Sequence, residues 1–168
     1  MKLGFIGCGN MANAMIAGII GNGICKAEEI IGTAKSEASR VRVNKEFGIY
    51  MTEDNKEAAE KADVIVLSVK PQFYEEVICE IKDVMKDNQI VVTIAPGKTL
   101  AWLEEKFGKQ VKLVRTMPNT PAMVQEGMTG ICKNTYVTES EMERVCDILR
   151  GFGEVEIIPE RLIDAVVT

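Results

Sequence analysis

The chain has 168 residues, 46% hydrophobic and 27% charged, with 14 glycines, 5 prolines and a net charge of −5. Those proportions exclude disorder, collagen-like repeats and small disulfide scaffolds, and a domain of this length buries roughly 70% of its unfolded surface without metals or cross-links. Residues 137–168 carry eight acids and three bases, so the first 136 residues are balanced and offer no basic face for nucleic acid.

Lys2 to Ile6 is a short apolar run ending at glycine, and Asn10 to Ile20 then repeats apolar residues at helical spacing, closing at Gly21 and Gly23. Glu29 to Thr33 predicts a second strand, Ser36 caps a helix to Phe47 that Gly48 stops, and Ile49 to Met51 is a third, short strand. A brief helix over Asn55 to Lys61 precedes Asp63 to Val69, whose near-continuous apolar character predicts burial on both faces, as in a parallel sheet. Pro71 can open a helix, in which Phe73, Val77, Ile78, Ile81 and Val84 form a core stripe. Ile90 to Ala95 and Val111 to Thr116 read as strands flanking a helix from Thr99 to Phe107. The loop MPNTPAMVQEG leads to a strand over Thr129 to Lys133, a helix from Thr138 to Phe152 and a strand over Val155 to Ile158. This alternation predicts an α/β, doubly wound, mostly parallel Rossmann-type sheet with helices on both faces. Pro159 to Thr168 starts a further helix, which sets an expected boundary: residues 1–158 as one domain, residues 159–168 as the entry to a second, helical one.

The five cysteines are scattered and contain no C-x-x-C pair, so neither a disulfide framework nor a zinc site is expected, and a reducing cytoplasm is the natural setting. The opening MKLGFIGCGN is too short for a signal h-region, and no stretch reaches the roughly 18 apolar residues of a membrane span. There is no histidine, which removes the commonest general base and metal ligand; no metal is expected and no catalytic side chain is assigned.

The central signal is Gly7-Cys8-Gly9-Asn10-Met11-Ala12, a G-x-G-x-x-A turn between the first strand and the first helix. Gly7 permits the tight turn, Gly9 lets the backbone approach a pyrophosphate, Ala12 allows close packing, and the amides of Asn10 and Met11 face the anion at the positive end of the helix dipole. An NAD site usually offers an acid at the end of the second strand; here Thr33, Ala34, Lys35 and Ser36 stand there, with Arg40 one turn further. NADPH is therefore the expected cofactor, with NADH the alternative. Asn55, Ser68-Val69-Lys70-Pro71, Ala95-Pro96-Gly97 and Met117 to Pro121 are the other loops at carboxyl ends of strands; Lys70 fits either a cofactor contact or a lysine snorkelling at a strand end. A dinucleotide site without an obvious acid–base pair suits hydride transfer to a substrate that is already an electrophile.

GFIGCGNMANAM, DVIVLSVKP, IVVTIAPGKTL, VRTMPNTPAMVQEG and LIDAVVT, in this order and spacing, resemble pyrroline-5-carboxylate reductases across the whole chain. The resemblance implies NADPH-dependent reduction of 1-pyrroline-5-carboxylate to L-proline by a cytoplasmic enzyme acting on a small molecule, without nucleic acid or membrane. By position it implies Ile6, Gly7, Cys8, Gly9, Asn10 and Met11 at the pyrophosphate, Thr33, Lys35 and Ser36 at the adenosine ribose and its phosphate, and Asn55 on the adenine side. It further implies Ser68, Val69, Lys70 and Pro71, with Ala95 and Gly97, near the nicotinamide ribose, and Asn119 and Thr120 at the substrate. Members often have Ala-Ala-Gly where Ala95-Pro96-Gly97 stands, so Pro96 removes one amide from that contact. In that family an all-helical dimerisation domain follows the segment matching LIDAVVT, which implies a homo-oligomeric full-length protein. Two alternatives remain: a non-catalytic dinucleotide-binding module, and an oxidoreductase of the β-hydroxyacid-dehydrogenase type.

Overall fold

The computed structural model describes residues 1–119 and 126–167. Its strands are β1 (Leu3–Ile6), β2 (Ile30–Thr33), β3 (Tyr50–Thr52), β4 (Val64–Leu67), β5 (Ile90–Thr93), β6 (Lys112–Met117), β7 (Gly127–Lys133) and β8 (Gly153–Ile157). Its α-helices are α1 (Asn10–Gly21), α2 (Glu37–Phe47), α3 (Asn55–Lys61), α4 (Tyr74–Ile81), α5 (Leu100–Phe107) and α6 (Glu139–Leu149). Among the described residues the eight strands form one sheet in the order β3-β2-β1-β4-β5-β6-β7-β8. Every pairing is parallel except β6 with β7.

The four residues of each of β1, β2, β4 and β5 are buried, because helices cover both faces. Alternation divides them between two cores. Leu3, Phe5, Val64, Val66, Ile90 and Val92 face the side of α1 and α6, whereas Ile6, Ile65, Leu67 and Val91 face the side of α3, α4 and α5. Each such side chain taken from water contributes about 1.5–3 kcal/mol. The chain winds outward from β1 to β3 and then returns to lay β4 on the other side of β1. That reversal leaves a crevice outside the carboxyl ends of β1 and β4, the place where open α/β sheets receive ligands.

The structure adjusts several expected boundaries. The helix expected from Pro71 begins as a 3₁₀ turn, Pro71–Phe73, before α4, and Val84 lies beyond it. The helix expected to reach Phe152 ends at Leu149, followed by the 3₁₀ turn Arg150–Phe152, where Gly151 runs close against Ile19 of α1. The strand expected from Thr129 starts at Gly127. Residues Glu160–Val167 wind as a 3₁₀ segment that folds back on the sheet, with Ile163 fully buried on the α4 and α5 side. Among the described residues no helix is long and apolar enough to cross a membrane.

Candidate functional site

The turn after β1 is built on Gly7, whose φ of +93° suits glycine and whose added Cβ would stand 2.6 Å from Val69 Cγ1. Its amide donates to Thr33 Oγ1 at 3.0 Å, and the Cys8 amide donates to Thr33 O at 2.9 Å, which ties the turn to the end of β2. From the β4 side, Ser68 Oγ donates to Gly7 O at 2.7 Å. The turn is thus held at both flanks, and two of its amides are consumed in holding it.

The amides that remain are those of the first turn of α1, which has no intrahelical partner for them. Four other helices place a side chain there: Ser36 caps α2, Asp54 α3, Thr99 α5 and Thr138 α6. The α1 N-cap is Gly9, with no side-chain hydrogen bond, and a Cβ added to Gly9 would meet nothing within 4 Å. Asn10 and Met11 therefore direct donors into open space at the positive end of a 12-residue helix, a setting for an anion.

That space opens into a cleft of about 300 Å³, at the lower end of small-molecule sites. Gly7, Cys8, Gly9, Thr33, Lys35, Asn55, Ser68, Val69 and Lys70 line it, so the structure gathers residues from the ends of β1, β2, β3 and β4. Lys35 sits 5.3 Å from the centre of the Phe73 ring, joining the β2 and β4 sides. Asn55 Nδ2 donates to Glu80 Oε2 at 3.0 Å. Burial pushes the Cys8 thiol up to about 12, so it stays neutral and its part in the cleft is space and backbone.

Several expected positions lie off this lining, among them Asn10 and Met11, which stand beside it at the start of α1. Ile6 is core, and its carbonyl accepts from the Ser68 amide; Ser36 caps α2; Pro71 opens the 3₁₀ turn. Ala95 is buried and Gly97 lies further along the carboxyl edge, beyond β5. Asn119 Oδ1 accepts from the Met128 amide at 3.0 Å, and Thr120 lies outside the described residues. Phe73, Glu76, Val77 and Glu80 also line the cleft: Phe73 and Val77 belong to the expected core stripe, yet Phe73 is exposed, and Glu76 and Glu80 carry no expected role. Their spacing of three, four and seven is one helical face, which the apolar stripe of α4 obscured. Glu53 lines it too, 3.9 Å from Arg40, whose Nη1 donates to the carbonyls of Ala34 and Lys35 and so shapes the β2 loop. Among the described residues no group of His, Cys, Asp and Glu could hold a metal ion.

Residues 2–97 match the family model described as NADP oxidoreductase, coenzyme F420-dependent. The chain is 40% identical over 166 residues to pyrroline-5-carboxylate reductase of Escherichia coli, a match covering 99% of this chain and 62% of that protein. The solved pyrroline-5-carboxylate reductase of Coxiella burnetii superposes with a TM-score of 0.92 at 35% identity, covering 96% of this chain and 60% of that one. That of Plasmodium falciparum, solved with NADP bound, gives 0.88 at 32% identity, covering 98% and 60%. The resemblance read from the motifs is borne out, and the chain spans about 60% of the length of these relatives. The chain belongs to the NADP oxidoreductase family that the model describes.

Proposed function

We propose, from the likeness to pyrroline-5-carboxylate reductases, that the chain is the cofactor-binding part of a reductase that uses NADPH to convert 1-pyrroline-5-carboxylate to L-proline. The observation that carries the reading is the uncapped start of α1 above an open Gly9, where backbone amides can receive a pyrophosphate. The donor set fits an anionic dinucleotide: Gly9, Asn10 and Met11 would hold the diphosphate, Thr33, Lys35 and Ser36 the 2′-phosphorylated ribose, and Asn55 the adenine side. Ser68, Val69, Lys70 and Pro71, then Ala95 and Gly97, would follow the molecule along the carboxyl edge toward its nicotinamide. Cys8 and Ile6 shape the turn beneath it.

When bound, the cofactor would supply a hydride, and a cyclic imine already protonated at nitrogen by solvent accepts it at carbon to give the secondary amine. The protein's task is then orientation, which can account for about 7 to 11 kcal/mol of a barrier. Asn119 and Thr120 would border the substrate. The same reading makes the protein cytoplasmic and gives residues 1–158 to the cofactor domain. Residues 159–168 would lead toward a helical domain through which full-length chains associate. The relatives' additional length supports that last point.

Calorimetric titration with NADPH and NADH tests the reading: NADPH should bind more tightly. Equal binding of both, or of neither, overturns the cofactor assignment. These 168 residues by themselves should bind NADPH but turn over 1-pyrroline-5-carboxylate poorly, and full turnover would show that nothing beyond them is needed.

A further inference from the structure

Among the described residues Arg115 of β6 is the largest fully buried side chain, 1% exposed, and a guanidinium in that position requires partners. The 160–167 segment brings them. Arg115 Nη1 donates to Glu160 Oε1 at 3.3 Å and Nη2 to Asp164 Oδ1 at 2.8 Å. The same two oxygens accept backbone amides from the loop after β5: Leu100 N–H at 2.7 Å on Glu160, and Gly97 N–H at 3.2 Å on Asp164. The root of that loop is held separately, where the buried Tyr74 hydroxyl accepts from the Ile94 amide at 3.2 Å and donates to the Leu67 carbonyl. Three points therefore fix residues 94–100 beside the end of β4, and two of them depend on Arg115.

We propose that Arg115 and Asp164 are positioning residues for cofactor binding, clamping the Ala95–Gly97 loop in the shape that meets the nicotinamide half of the dinucleotide. This rests on the reading above that the open end of α1 binds NADPH and that Ala95 and Gly97 follow the molecule toward its nicotinamide. Gly97 has a φ of +75°, and glycine loses more backbone freedom on ordering than any other residue, so the bond from Asp164 removes an entropic cost that binding would otherwise carry. The clamp is also remote from the adenine half, which lies at β2 on the opposite side of β1 and β4.

Asp164→Ala is the discriminating variant, because Glu160 still partners the buried Arg115 and the fold is retained. Calorimetry on the intact chain uses two probes: NADPH, and adenosine 2′,5′-bisphosphate, which lacks the nicotinamide half. Asp164→Ala should weaken NADPH by about fivefold and leave the bisphosphate at its wild-type affinity. Asp164→Asn, whose amide oxygen still accepts from Gly97, should recover most of the loss. Unchanged NADPH binding in Asp164→Ala, equal weakening of both probes, or no recovery in Asp164→Asn overturns the clamp. Failure of wild type to bind either probe overturns the cofactor site itself, and the clamp with it.

Discussion

The first turns of α1 and α5 lie on the same edge of one sheet and meet the same electrostatic demand in opposite ways. At α5 the chain supplies its own oxygens: Thr99 Oγ1 accepts the Trp102 amide at 3.1 Å and Glu160 the Leu100 amide at 2.7 Å. At α1 no side chain does so, and Gly9 leaves the approach open. Unsatisfied amides at a helix start favour an anion whatever its source. At α5 the chain's own oxygens occupy the helix start, whereas at α1 they leave it clear.

The largest expected effect comes from closing the open end at its base. Gly7→Ala forces a side chain into φ +93° with its Cβ 2.6 Å from Val69 Cγ1, and strain plus overpacking should cost about 2–4 kcal/mol in urea unfolding. Wild-type stability in that variant would show that the turn does not need glycine. At the filled end, Arg115→Met should cost about 1–3 kcal/mol, less than a fully buried pair, because Glu160 and Asp164 are 35% and 54% exposed and can return to water.

Gly9→Ser makes α1 resemble α5. Gly9 already has extended N-cap geometry at φ −91°, so the hydroxyl should raise stability by a few tenths of a kcal/mol while NADPH affinity falls about tenfold, roughly 1.4 kcal/mol. Undiminished binding would mean that the anion sits elsewhere. Glu53→Gln removes an exposed carboxylate beside Arg40 and should tighten NADPH by about two- to threefold, on the scale of one surface ion pair, without changing NADH.

The smallest effect follows pH. The Gly97 amide is the largest influence on the Asp164 carboxyl and lowers it; burial opposes, Arg115 adds to the lowering, and the carboxyl is held below its ordinary range. A depressed carboxyl stabilises the fold above its unfolded value and loses that contribution as pH falls through the folded one, so the clamp loosens in acid and not in base. The Gly97 amide resonance should report that single titration, and a shift that persists in Asp164→Ala would assign it to another group.

Much of the open end was legible. The glycine turn, the missing acid after β2 and the Ser36 and Thr99 caps are chemistry between near neighbours, and the buried strands announce themselves as apolar runs. Phe73, Glu76, Val77 and Glu80 were not legible as a cleft wall, because Phe73 and Val77 fit the spacing of a core stripe and the two glutamates between and beyond them read as a solvated face. The filled end was opaque for a different reason: Arg115 reads as one base in a strand, and its partners lie 45 and 49 residues away.

By itself, the sequence determined where the backbone turns, which stretches extend or coil, and which corner is stripped of side chains, since these follow from steric and hydrogen-bonding preferences within a few residues. Tertiary structure alone decided that Val69 would lie against Gly7, and that Asp164 would reach the Gly97 amide across 67 residues of chain. Strand order sets those meetings, and strand order is won by the burial of whole faces, a sum to which no short segment holds the key.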